Sequence, residues 1–141
     1  MGISELRARI DSNNAEIEEI KKDITAMETE IKVVSRYAVE FQNQKKTAEE
    51  YDISYKDKWK EDLCVDAKDY QAKVVEGIDG AITSCGTAVS DINTCIENAR
   101  KRIKELQDDN AWCEAEIKRI EEEERRAAED RKNHPERYQC G

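Results

Sequence analysis

The sequence predicts an all-α protein, an extended antiparallel helical hairpin of coiled-coil type whose second helix is longer than the first. Three observations lead there. Apolar residues recur at alternating spacings of three and four over most of the chain, the mark of helices with one apolar seam. Charged residues make up 40% and aromatic residues only 6%, a balance that suits long helices better than a globular core, while the regular seam sets the chain apart from a disordered one. The one proline, Pro135, stands near the carboxy end, so no proline breaks a helix before it. The length of 141 residues suits one domain, here a hairpin over 1–133 followed by a short frayed tail over 134–141.

The first helix is expected over about 3–46. Its seam reads Ile3, Leu6, Ile10, Asn13, Ile17, Ile20, Ile24, Met27, Ile31, Val34, Ala38 and Phe41, and only Asn13 is polar. A polar seam residue costs stability and fixes register or partner number, so Asn13 reads as a specificity device. Glu18 stands four before Lys22 and Glu28 four before Lys32, pairs that hold a solvated face.

The reversal is expected over about 47–55. There the seam lapses and aromatics gather, with Tyr51, Tyr55 and Trp59 closing the tip. Ser54-Tyr55-Lys56-Asp57 is close to a capping box, which starts the second helix near residue 56. That helix is expected to run to about 132. Its apolar residues advance mostly by four from Trp59 through Leu63, Ala67, Tyr70, Val74 and Ile78 to Ile82, then by strict threes and fours to Ile120. Runs of four alter the local supercoil, and Gly77, Gly80 and Gly86 mark 77–86 as a place for a bend. Asn133-His134-Pro135 ends the helix.

Two registers satisfy the seam. Pairing positions whose numbers add to about 105 sets Phe41 against Leu63, Ile17 against Val89 and Ile3 against Ile103. It needs no break in the second helix, and is the preferred expectation. Adding to about 123 instead sets Asn13 against Asn110 and Ile3 against Ile120, with 55–76 as a separate helix beyond a break at Gly77–Gly80. In the preferred register Leu106, Asn110, Cys113, Ile117 and Ile120, with Trp112 beside them, project past the first helix. They are then an uncovered seam and the expected partner-binding surface, for another protein or for a second copy in a homo-oligomer.

The chemistry-bearing residues point away from catalysis. The only histidine, His134, lies in the polar terminus without a positioned partner. Glu121 to Glu124 and Asp108-Asp109 read as solvated charge, and Gly77-Ile78-Asp79-Gly80 lacks the glycines, lysine and preceding strand of a phosphate loop. The expectation is therefore no enzyme, no metal and no cofactor. The net charge of −9 argues against nucleic acid. No apolar run can span a bilayer and no basic-then-apolar segment opens the chain, so no membrane insertion and a cytoplasmic protein are expected. Five cysteines, Cys64, Cys85, Cys95, Cys113 and Cys140, show no metal-type spacing and suit a reducing compartment, with a cross-arm or inter-chain disulfide as the alternative.

A long first helix, a polar connector, Trp59 opening a second long helix and a glycine-containing second arm resemble the WXG superfamily of small helical hairpins tied to type VII secretion. The isoleucine seam and the charged carboxy-terminal extension look most like its YwqH-like branch, found beside LXG-domain toxins in Gram-positive bacteria. The resemblance spans about 3–120. It implies an adaptor or targeting chaperone that binds the helical LXG domain of a toxin, often with a second small helical partner, and is co-secreted or stays behind. Trp59 carries over as the family's aromatic, but the motif here reads Trp59-Lys60-Glu61, without its glycine. The family's export signal, an aromatic followed four positions later by an acid, has its nearest match in Trp112 and Glu116.

Overall fold

The computed structural model describes residues 1–53 and 60–138. Helix α1 runs over Ile3–Glu50 and helix α2 over Glu61–Asn133, followed by a short 3-10 helix, Pro135–Tyr138. No strand occurs among the described residues. The fold is thus all-α, two helices with the second longer than the first, consistent with a helical hairpin.

The helix ends differ from the expected ones. α1 continues to Glu50 instead of stopping near 46, and α2 begins at Glu61 rather than near 56. The Lys60 carbonyl accepts from the Cys64 amide at 3.0 Å, which makes Lys60 the residue that leads into the helix. Glu61 and Asp62 in the first turn, and Arg131 and Lys132 in the last, complement the helix dipole at each end. The capping box at Ser54–Asp57, Tyr55 and Trp59 lie outside the described residues. The expected frayed tail is in part ordered: Pro135–Tyr138 turns back, the Tyr138 hydroxyl donates to Asp130, and the Arg131 guanidinium stands 5.6 Å over the Tyr138 ring.

Where the sequence suggests a single domain, the contacts divide the chain into two compact units. A terminal unit comprises Met1–Asp23 and Asn98–Gly141, and a connector unit comprises Ile24–Glu97. Each takes one stretch of α1 and one of α2. In the terminal unit, Leu6 and Cys113 are fully buried and pack with Ile117, flanked by Ile3, Ile10 and Ile120. Ile17 and Leu106 are buried in the same unit, and Ile24 and Ile96 in the connector unit. Two helices cover only one face of each other, so most other seam residues are half-buried.

The pairing overturns the preferred register. Asn13 meets Asn110 in the terminal unit and Lys45 meets Asp79 in the connector unit, numbers that add to 123 and 124. The reason lies in the step pattern. From Ile3 to Phe41 the seam advances by alternating threes and fours, and from Ile120 back to Ile82 it retraces the same steps, each pair adding to 123. The register near 105 sets that regular seam partly against the run of fours and leaves Asn13 opposite Ile92, a polar group facing apolar surface. No break is needed either, because α2 is helical through Gly77, Gly80 and Gly86.

Nothing lies within 4 Å of where a Cβ would stand on Gly80. Gly80→Ala should therefore stabilise the protein by about 0.5–1 kcal/mol through the helical backbone alone. A rise in the urea midpoint without a change in slope checks it.

Candidate functional site

The stretch Leu106–Ile120 is where the sequence places the partner-binding surface, and the structure closes it. Leu106, Cys113 and Ile117 are buried by the chain's own first helix, Asn110 and Ile120 are half-buried, and only Trp112, 51% exposed, faces outward. The uncovered seam was a product of the register near 105, and it disappears with it.

What occupies this stretch instead is a polar layer that pins the register. Asn13 Nδ2 donates to Asn110 Oδ1 at 3.0 Å and to Asp109 Oδ2 at 2.7 Å. Asn110 Nδ2 donates to Asn14 Oδ1 at 2.9 Å. Arg9 Nε donates to Asp109 Oδ2 at 2.7 Å, and its guanidinium stands 5.6 Å over the Trp112 ring. Each member has a partner across the helix pair, as a half-buried polar cluster requires. Glu116, the acid of the aromatic-plus-four spacing, is engaged along its own helix by Arg119 at 3.0 Å, so it reads as part of a solvated ion-pair ladder.

Hydrogen bonds from Arg9 and then Asn13 hold the Asp109 carboxyl below its ordinary range. A lowered carboxyl pKa adds stability above the unfolded value and loses it as pH falls through the folded one. Wild type should therefore exceed Asp109→Asn in stability at neutral pH, with the gap closing in acid below the ordinary carboxylate range. Thermal melts of both proteins across an acid series measure that gap.

Open apolar surface is found in the connector unit. The shielded stripe at the start of α2 is Cys64, Ala67, Gln71, Val75 and Ile78. Leu63, Tyr70 and Val74, which the sequence counts as seam, stand outside it at 57%, 71% and 39% exposure. A step of four residues overshoots a full turn by about 40°, so a run of fours rotates the stripe off the packing face. Three shallow hollows follow these side chains. One of about 430 Å³ is lined by residues including Asn43, Thr47, Tyr51, Val74 and Ile78. The next, about 310 Å³, shares Ala48, Tyr51 and Val74 with it and adds Ile53, Ala67 and Tyr70. The third, about 360 Å³, continues along Ala67 and Tyr70 to Asp66 and Leu63. Tyr51, expected at the tip, is thus at this surface.

Gln71 sets the shape of this region. The last carbonyls of a helix have no partner within it, and α1 has no basic residue in its last turn. The Gln71 side chain supplies the donor instead: Nε2 lies 2.5 Å from the Ala48 carbonyl oxygen, 3.3 Å from that of Tyr51 and 3.5 Å from that of Glu49. Nearby, Lys45 Nζ reaches Asp79 at 2.7 Å. Gln71→Leu removes the donor while keeping bulk, and should cost about 1–2 kcal/mol with faster amide exchange over 47–53. Glutamine at a seam position among Cys64, Ala67 and Val75 was the available signal for this cap.

No cavity among these is enclosed, and no group of His, Cys, Asp and Glu among the described residues could hold a metal ion. Cys85, Cys95 and Cys113 are free thiols, with Cys113 buried and Cys95 exposed. No described helix is long and apolar enough to cross a membrane. The arrangement presents an exposed apolar face. No family model, curated protein or solved structure matches this chain.

Proposed function

We propose that this chain is a non-enzymatic adaptor that binds the helical LXG domain of a toxin, alone or beside a second small helical protein, and delivers it for type VII secretion. The observation that carries the binding reading is the line of open hollows along Leu63, Tyr70, Val74 and Tyr51. Apolar side chains of this size left in water favour a partner that covers them. The toxin and the secretion route follow from the resemblance of the helical hairpin, its polar connector and Trp59 to the WXG superfamily.

Co-expression with the LXG domain of a toxin encoded beside this gene provides the test. A stable complex through affinity purification and gel filtration is the expected result. Separate elution of the two proteins, at concentrations where each is folded, contradicts the reading. The self-associating scaffold keeps less support, because Asn13 and Asn110, its polar specificity residues, bond to each other within one chain.

A further inference from the structure

We infer that the groove of the connector unit selects a basic amphipathic helix, with apolar residues seated on Tyr70 and Val74 and Lys or Arg along its flanks. This names the partner chemistry for the surface proposed above and rests on that reading. Three features of the connector unit lead to it.

The first is length. The three hollows share walls, Tyr51 and Val74 between the first two and Ala67 and Tyr70 between the last two, so they form one line along α2. From Ile78 to Leu63 that line measures about 22 Å at 1.5 Å per residue, the length of a four-turn helix of about 15 residues.

The second is composition. The hollows are walled mostly by apolar side chains, which fits a helix presenting apolar residues at intervals of three and four.

The third is charge. Between Glu61 and Val74, α2 carries Glu61, Asp62, Asp66 and Asp69 against Lys68 and Lys73, and Asp66 lines the groove itself. Facing it, α1 ends in Glu49 and Glu50 with no basic residue in its last turn, while one turn earlier Lys45 pairs with Asp79 at 2.7 Å and reaches Glu49 at 3.9 Å. With Lys45, Lys46 and Lys60 counted, the described residues of 43–78 carry eight acids against five lysines. The negative end of the α1 dipole has the same sign. A second copy of this chain seated groove to groove would set acid against acid. Anionic lipid and nucleic acid meet the same repulsion. Cationic flanks on an incoming helix are complementary to it.

Three fluorescein-labelled peptides of about 16 residues, sharing one apolar face and carrying Lys, Gln or Glu flanks, are titrated with the full chain and followed by anisotropy. The Lys-flanked peptide should bind at least about tenfold more tightly than the Glu-flanked one, with Gln between. The difference should shrink as salt rises from about 0.05 M to about 0.5 M. Asp66→Lys with Asp69→Lys should narrow or reverse the order, and Tyr70→Asp should abolish binding of the Lys peptide while the far-UV spectrum stays helical.

Equal binding by all three peptides overturns the charge selection and leaves the adaptor reading standing. No binding by any peptide, while the LXG domain still co-purifies, overturns the groove as the helix seat. Self-association that Tyr70→Asp removes would assign the groove to a second copy, and also overturns the proposal.

Discussion

Leu6→Asp is expected to unfold the terminal unit. Leu6 is fully buried against Cys113 and Ile117 in the cluster that holds the two helices together there. Truncating a buried leucine to alanine alone costs about 2–5 kcal/mol, and a carboxylate at the same place adds the cost of an unpaired buried charge. A small core has little reserve against a loss of that size. Circular dichroism should show a large loss of helix at ambient temperature, or a melt lowered by well over 10 °C, using about 4–8 °C per kcal/mol as the scale for small domains. Ile117→Asp should behave alike from the opposite helix. Trp112→Ala, one residue from Cys113 but half exposed, should change stability little, because the ring lies outside the packed seam. The register near 105 gives the opposite result for Ile117→Asp, since it leaves that residue uncovered.

Tyr70→Asp together with Val74→Asp is expected to do the reverse, abolishing partner binding without unfolding the chain. Both side chains are exposed in the connector unit, so substitution exposes no new core. Exposed positions away from caps and cores tolerate change within about 0.5 kcal/mol. Binding instead depends on a few apolar anchors, each worth about 2 kcal/mol or more when lost. Two such losses predict at least about a hundredfold weaker association. Calorimetry against the purified LXG domain measures the affinity, and a denaturant series on the same variant measures stability. Unchanged affinity with intact helices would mean that the partner seats elsewhere on the chain.

Helix type and the buried face were written in the apolar spacing. From Ile3 to Phe41, and from Ile78 to Ile120, every residue read as seam is buried or half-buried in the structure. Register was legible too, but not from apolar matching, since isoleucine packs acceptably against many neighbours and two pairings satisfy it. The discriminating signals were the mirrored steps that add to 123 and the pairing of Asn13 with Asn110. Polar groups are selective where apolar ones are not, because an unpaired one is costly.

The candidate surface was less accessible. Its side chains, Leu63, Tyr70 and Val74, look like seam residues when only spacing is read. They leave the packing face because a run of fours turns the stripe away, while Gln71 takes a seam position to cap α1. That role depends on where α1 ends, and a helix end in a polar stretch such as Gln42 to Glu50 carries no strong stop signal. Trp59 and Tyr55, which carry much of the family resemblance, lie outside the described residues.

Hydrogen–deuterium exchange on the full chain, with and without the bound LXG domain, most directly tests whether the partner seats on the connector unit. New protection is expected over 47–53 and 61–78, while 106–120 exchanges as slowly in the free protein as in the complex. New protection confined to 106–120, with 61–78 unchanged, would contradict it.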